Sequence, residues 1–136
     1  MPKITCPARF EFLDEIREFV ARIARAGGFN DKEVYSLQLA ADEAASNIIE
    51  HAYENVSDAK FDVTCDMNGD TLVITMRDTG KPFNPSNVRI PNLKADLSER
   101  KIGGLGVYLM RKLMDDIHYL ANPETGNLLT MTKRRE

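Results

Sequence analysis

The sequence predicts an α+β fold: a two-layer α/β sandwich in which a mixed, mostly antiparallel sheet carries its helices on one face. The predicted elements follow in the order β-α-α-β-β, a long connection, and then α-β-β. Strands that are adjacent in the chain are joined by short turns and therefore pair antiparallel, and helices grouped in this way cover one face of the sheet. Because 136 residues is a usual domain size, we expect one domain over residues 1–136.

Two amphipathic helices are predicted in the first half of the chain. Apolar residues recur at the helical period over residues 10–26, and Gly27-Gly28 ends this helix. The second helix opens at Asn30, where Glu33 three residues later gives a capping-box pattern, and it should fade near Glu54-Asn55. One face of each helix is therefore expected to be buried.

A β-hairpin follows the helices. Residues 61–67 alternate between apolar and polar side chains, which is the period of a half-buried strand. Asn68-Gly69 is a type I′ turn signal, and the return strand places the apolar residues of segment 72–76 on one face. Asp78 has the same parity as these residues, so its carboxylate should point toward the covered face.

The second half begins with a connection of unusual length. Thr79 to Ile102 has the composition of a loop, and connections this long in compact domains tend to be functional lids. A glycine cluster at 103–106 then leads into a third helix. The chain ends in a predicted hairpin with strands at 117–120 and 128–131 around a turn at 122–126.

Composition excludes several classes of function. With 18 basic and 21 acidic side chains, the net charge of −3 argues against direct nucleic-acid binding. No apolar run approaches the roughly 18 residues of a membrane span, and the first residues lack the apolar core of a signal peptide. Cys6 and Cys65 have neither metal-site nor disulfide-framework spacing, so we expect a cytoplasmic protein in which they are core residues.

Glu43 and Asn47 form the first candidate site. They lie four residues apart on the second helix, about 40° apart around its axis, so they share a face. Asn47 borders the apolar stripe, and burying its amide without partners would cost on the order of 1–3 kcal/mol. Taken alone, the pair also fits an exposed glutamate beside a core-edge asparagine that bonds nearby backbone.

Asp78-Thr79-Gly80 forms the second candidate site, directly after a strand. A buried carboxylate must be paired or hydrogen-bonded. It could accept a hydrogen bond from an amine such as that of adenine, with Gly80 letting a flat ring approach the backbone. An Asx-turn after a strand is the alternative interpretation.

Gly103-Gly104-Leu105-Gly106 forms the third candidate site, at the start of a helix. Free backbone N–H groups and the positive end of the helix dipole make such a start a natural phosphate cradle. The segment lacks the Gly-Lys-Ser/Thr of a Walker A loop, and no strand directly precedes it as in a dinucleotide fingerprint. Alone it also fits an ordinary loop end, but the three segments together predict a nucleotide site.

In order and spacing, the segments DEAASNIIEHAY (42–53), DTGKPF (78–83) and GGLGVYLM (103–110) resemble the N, G1 and G2 boxes of a known family. This family is the anti-sigma-factor serine/threonine kinases of the GHKL superfamily, which share the Bergerat ATP-binding fold. The resemblance covers nearly the whole chain. It implies ATP and Mg²⁺ as cofactors.

The resemblance also implies a role for each site residue. Asn47 would be the magnesium ligand, and Glu43 would be the general base that takes the proton from a serine or threonine hydroxyl. Asp78 and Gly80 would hold adenine. The phosphate end would be formed by Arg100, which would reach the γ-phosphate, and by the glycine segment Gly103, Gly104, Leu105 and Gly106.

One position departs from the family pattern. After Gly126, where the family favours a threonine near the adenine, this chain has Asn127-Leu128. The sequence leaves open whether Asn127 or Thr130 takes over that contact.

By the same resemblance, the function would be that of a cytoplasmic serine/threonine protein kinase and anti-sigma factor in a partner-switching circuit that regulates transcription. Its partners would be a sigma factor that it sequesters, a STAS-domain antagonist that it phosphorylates, and a second copy of itself in a homodimer. The alternative is a non-catalytic module that binds ATP and sequesters a protein partner. The presence of Glu43 favours the enzyme.

Overall fold

A computed structural model describes residues 2–52, 59–80, 104–122 and 124–136 of the chain. Its strands are β1 (Lys3–Pro7), β2 (Lys60–Asn68), β3 (Thr71–Asp78), β4 (Asp116–Asn122) and β5 (Gly126–Arg134). Its helices are α1 (Leu13–Ala26), α2 (Asp31–Asn47) and α3 (Gly104–Leu113). The order agrees with the sequence prediction.

The five strands form one sheet in the order β1-β2-β3-β5-β4. All four pairings of these described strands are antiparallel, and the short β2–β3 and β4–β5 connections predict two of them. In the β2–β3–β5 ladder Cys65 lies opposite Ile74, and Ile74 lies opposite Met131; all three are buried. The predicted α+β class is confirmed.

The helices cover one face of this sheet. Alternate residues of β2, β3 and β5 are buried, and their apolar side chains join those of α1 and α2 in one core cluster. The opposite face carries a polar row in which Thr64, Thr75, Thr130 and His118 are successive register partners. The alternation that predicted the strands therefore also separates the core from this open face.

The predicted first helix needs a correction at its start. The segment Phe10–Phe12 is a 3₁₀ turn, and the α-helix begins at Leu13. No side chain caps the start of α1, and the Phe12 N–H donates to the Arg9 carbonyl instead. A run of apolar periodicity cannot separate a 3₁₀ turn from the α-helix that it joins.

The second helix starts as predicted. The Glu33 N–H donates to Asn30 Oδ1 at 2.8 Å, and the Asn30 N–H donates to Glu33 Oε1 at 3.0 Å, which completes the capping box. The N–H of Glu136 donates to Glu33 Oε2 at 2.9 Å, so this cap also anchors the end of the chain. Past Asn47 the helix continues as a π-helical turn, Ile48–Ala52; the predicted end near 54–55 lies outside the described residues.

The β2–β3 hairpin is confirmed, but its corner lies one residue later than predicted. Asn68 pairs with Thr71, which leaves Gly69 and Asp70 as the two turn residues. Gly69 has φ +67°, as the first corner position of such hairpins requires.

Two expectations from composition can also be compared with the structure. Cys6 and Cys65 are both buried, as predicted, and burial raises the pKa of the Cys65 thiol to about 12. None of the helices in the described parts of the chain has the length and apolar content that crossing a membrane requires.

Candidate functional site

The end of β3 and the start of β5 hold a buried polar cluster formed by Asp78, Gly80 and Asn127. Asp78 and Asn127 are register partners, and their residues are only 5% and 3% exposed. Asn127 Nδ2 donates to Asp78 Oδ1 and to the Gly80 carbonyl, each at 2.9 Å. The Gly80 N–H donates to the same Oδ1 at 2.9 Å, so the Asx-turn considered above is present. Asn127, on the neighbouring strand β5, stabilises this turn through its two hydrogen bonds.

The hydrogen bonds fix the orientation of the Asn127 amide. Its nitrogen faces two oxygen acceptors, so this atom must be the NH₂ group, and both amide protons are used. No further hydrogen bond to Asp78 Oδ2 or Asn127 Oδ1 is formed within the described part of the chain. The cluster therefore has acceptor capacity left for a ligand.

Gly126 allows the two strands to approach this closely. It has φ +96°, and a Cβ at this position would lie 2.5 Å from the Asp78 carbonyl oxygen. Such a separation is far inside ordinary contact distance, and this φ is strained for any L side chain. Glycine is required here because the backbone at the start of β5 lies against the backbone at the end of the neighbouring strand β3.

Burial dominates the electrostatics of Asp78. Desolvation raises the pKa of its carboxyl group, while the hydrogen bonds from Asn127 and Gly80 oppose the rise by favouring the charged form. A cavity of about 330 Å³ adjoins the cluster, in the size range of small-molecule sites. Its described lining residues are Thr79, Gly80, Ala121, Asn122, Glu124, Gly126 and Asn127.

Glu43 and Asn47 share a face of α2, as their spacing predicts. Glu43 is half-buried; desolvation raises its pKa, and the nearby charges of Asp42 and Glu50 add to the rise. Among the described residues no hydrogen bond holds its carboxylate. A carboxylate with a raised pKa is a stronger base than an ordinary glutamate, which suits general-base chemistry.

The neighbour of Glu43 is tied to α1. Arg17 Nη1 donates to Asp42 Oδ1 at 2.7 Å, and the guanidinium also pairs with Asp14. The Gln38 amide nitrogen donates to the Arg17 carbonyl at 3.2 Å, which adds a second link between the helices. These contacts hold the Glu43 segment of α2 against α1, while the Glu43 carboxylate makes no hydrogen bond to another described residue.

Asn47 fits a magnesium ligand that is shared with phosphate groups. It is 6% exposed, and its Nδ2 is buried with no hydrogen-bond partner among the described residues. No group of three or more His, Cys, Asp and Glu side chains in those residues could enclose a metal. Magnesium commonly takes one or two protein oxygens and completes its shell with water and phosphate, so Asn47 Oδ1 suits the cation and Nδ2 suits a phosphate oxygen.

The predicted phosphate cradle lies at the start of α3. Gly104, Leu105 and Gly106 form the first turn of this helix, where backbone N–H groups have no partner within the helix. The helix packs against α2. Arg100 and Gly103 lie outside the described residues, and so does the long connection from residue 81 to residue 102.

The sequence matches the family described as "Histidine kinase-like ATPase domain" over residues 6–133. This chain belongs to that family. It is 32% identical to "Serine-protein kinase RsbW" from Bacillus cereus (strain AH187), over 96% of this chain and 83% of the relative. "Serine-protein kinase RsbW" from Halalkalibacterium halodurans is 28% identical over 96% of this chain and 81% of its own length. The resemblance to kinases of this kind is thereby confirmed.

Solved structures show the same fold. The chain superposes with a TM-score of 0.67 on the crystal structure of the RsbU and RsbW domains of Rv1364c from Mycobacterium tuberculosis. The identity is 15%, and the match covers 98% of this chain but 32% of that one. For the histidine kinase domain from Erythrobacter litoralis EL346 blue-light activated histidine kinase, the TM-score is 0.54 at 16% identity, over 94% of this chain and 61% of that one.

Within this ATPase domain, the structure brings some of the predicted residues into direct contact. Asp78 and Gly80 are joined by one hydrogen bond, and the added member of their cluster is Asn127. Thr130 lies on the open face in register with Thr75, so it is not the partner of Asp78. No hydrogen bond between described residues links Glu43 or Asn47 to this cluster.

Sequence reasoning missed two features of the site. One is the double hydrogen bond from Asn127, although the alternation of β5 does place residue 127 on the covered face with Leu129 and Met131. The other is the π-helical turn directly after Asn47, a feature that often marks functional positions. No local pattern in the sequence signals that turn.

Proposed function

We propose that this ATPase domain, over residues 1–136, is an ATP-dependent serine/threonine protein kinase that acts as an anti-sigma factor. The observation that carries the kinase assignment is the position of Glu43 on α2. It is half-buried with a raised pKa, and it lies on the same face as the amide of Asn47; among the described residues neither the Glu43 carboxylate nor Asn47 Nδ2 has a hydrogen-bond partner. The serine-protein kinases RsbW to which the chain is similar support the choice of a hydroxyl as phosphate acceptor.

In the proposed reaction, the oxygen of a serine or threonine hydroxyl bonds to the γ-phosphorus of ATP. The bond from that phosphorus to the β–γ bridging oxygen breaks, and ADP leaves with the electron pair. Glu43 accepts the hydroxyl proton, which requires a deprotonated carboxylate. The proximity of Asp42 and Glu50 favours the protonated product of this step, because it relieves like-charge repulsion.

The remaining residues bind and orient the nucleotide. Asp78 and Gly80 would hold the adenine base, and the start of α3 at Gly104, Leu105 and Gly106 would hold phosphates, with Gly103 and Arg100 beside them. Asn47 would hold a magnesium ion. When bound, magnesium supplies positive charge that stabilises the phosphate oxygens during transfer.

The proposed partners follow from the family resemblance. A STAS-domain antagonist would be the phosphorylated protein, and a sigma factor would be the sequestered one. The protein would act in the cytoplasm as a homodimer. Direct binding experiments test these partner assignments, and single substitutions test the phosphate transfer.

The test compares phosphate transfer with nucleotide binding in matched variants. Glu43→Gln keeps the size and polarity of the side chain but removes the carboxylate, so transfer of labelled phosphate to a STAS-domain antagonist should fall about 10²–10⁴-fold. Binding of Mg-ATP, measured by calorimetry, should remain. Asn47→Ala should weaken Mg-ATP binding and transfer together, and Asp78→Asn should weaken nucleotide binding by roughly 1–3 kcal/mol.

The same experiment decides between the enzyme and a non-catalytic module. Equal transfer rates for wild type and Glu43→Gln would contradict the general-base assignment. A wild-type protein that binds ATP and sequesters a partner, but transfers phosphate to no antagonist, would make the non-catalytic module the correct function. Equal ATP affinity for wild type and Asp78→Asn would refute the adenine assignment.

A further inference from the structure

Asn127 controls how much of the Asp78 carboxylate a ligand can use. Oδ1 of Asp78 already accepts two hydrogen bonds, from Asn127 Nδ2 and from the Gly80 N–H, each at 2.9 Å. An ionised carboxylate has about four acceptor sites, two on each oxygen. Both sites of Oδ1 are therefore filled, and Oδ2 is the oxygen left for a base.

We propose that Asn127 is a specificity-determining residue: by saturating Asp78 Oδ1 it limits the carboxylate to one acceptor oxygen, which selects a 6-amino purine over guanine. The inference rests on the nucleotide binding proposed above and adds the reason for the choice of base. It concerns a position at which this chain departs from the threonine that its family favours.

The two purines differ in how many carboxylate oxygens they need. Adenine offers one exocyclic amine, and a single carboxylate oxygen satisfies it. Guanine offers two parallel donors, N1–H and the 2-amino group, and a carboxylate reads both only when each of its oxygens is available. With Oδ1 occupied, one guanine donor would be buried without a partner, which is the kind of mismatch that buried polar sites reject strongly.

Asn127 also positions the backbone next to the base. Its second amide proton goes to the Gly80 carbonyl at 2.9 Å, so one side chain fixes both the carboxylate and the turn that follows it. A threonine hydroxyl has only one proton to donate. It could saturate Oδ1, but it could not hold the Gly80 carbonyl at the same time.

Because asparagine, threonine and valine donate different numbers of protons at position 127, the proposal can be tested with three variants of the full chain. Asn127→Val removes both donors, Asn127→Thr keeps one, and Thr130→Val makes a similar apolar change on the same strand but on the opposite face. Dissociation constants for ATP and GTP are measured by displacement of a fluorescent ADP analogue. Thermal unfolding of each variant shows that it is folded.

Wild type should prefer ATP over GTP by on the order of 100-fold. Asn127→Val should reduce this ratio about tenfold, because Oδ1 becomes available to guanine. Asn127→Thr and Thr130→Val should keep the wild-type ratio, although Asn127→Thr should bind both nucleotides more weakly. If Asn127→Val does not fold, Asn127→Ala takes its place with the same expected ratio.

Two results would count against these assignments in different ways. The specificity role is wrong, while ATP binding stands, if Asn127→Val keeps the wild-type ratio of ATP to GTP affinity. It is also wrong if Asn127→Thr reduces that ratio as much as Asn127→Val does. If wild type binds neither nucleotide, the proposed function itself fails.

Discussion

Replacing Gly126 by alanine should damage the proposed nucleotide site through the backbone alone. The new Cβ would lie 2.5 Å from the Asp78 carbonyl oxygen, so the β3–β5 pairing must open at the position where Asp78 faces Asn127. Gly69 provides a matched control. It also has a positive φ in a hairpin turn, but a Cβ there has nothing within 4 Å.

The two variants separate conformational strain from steric contact. At Gly69, the left-handed conformation of alanine should lower the free energy of unfolding by about 1–2 kcal/mol. Alanine also restricts the unfolded chain, which offsets this loss by less than about 1 kcal/mol. At Gly126 the same strain applies, and displacing a backbone carbonyl adds roughly 1–3 kcal/mol. Gly126→Ala should therefore lower the free energy of unfolding by about 2–4 kcal/mol. For a chain of this length, that loss corresponds to a decrease in Tm on the order of 10 °C.

Urea unfolding and ATP calorimetry on both variants provide the test. Gly69→Ala should lose about 1 kcal/mol of stability and bind ATP as wild type does, since its turn lies at the other end of β3 from Asp78. Gly126→Ala should lose more stability and also ATP affinity. Equal losses of stability in the two variants would refute the argument that the close approach at Gly126 builds the site.

Two further predictions concern the cap of α2 and the long connection. Hydrogen bonds from Asn30 and Glu136 lower the pKa of Glu33, so its stabilising contribution should be present above the ordinary glutamate pKa and lost as the pH falls through the lower folded value. The stability difference between wild type and Glu33→Gln in urea unfolding should therefore shrink below about pH 4.5, and a constant difference would contradict this. Hydrogen exchange over residues 91–106 should slow when Mg-ATP is added, as expected for a lid above the phosphates; unchanged exchange would argue against a phosphate role for the glycines.

The sequence predicted features that depend on local periodicity and missed those that depend on register. Alternation in residues 61–67 indicated β2, and the parity of Asp78 with segment 72–76 indicated its buried direction. The capping box at Asn30 marked the start of α2. The bond from Asn127 to Asp78 joins residues that are 49 positions apart. It exists because β5 pairs with β3 in one register, and a shift by one residue would turn Asn127 to the open face.

The two ends of the proposed nucleotide site share a physical property. The buried carboxylate of Asp78 accepts N–H donors on one oxygen, while its other oxygen has no hydrogen bond from the described residues. Asn47 has a buried amide nitrogen without a partner among those residues. A buried donor such as Asn47 Nδ2, left without a partner, costs stability, and that cost is recovered when a ligand supplies the partner. A ligand that binds only the folded form also stabilises it in proportion to its affinity. The unpartnered amide of Asn47 in the described part of the chain would therefore contribute to strong binding of a nucleotide that supplies its partner.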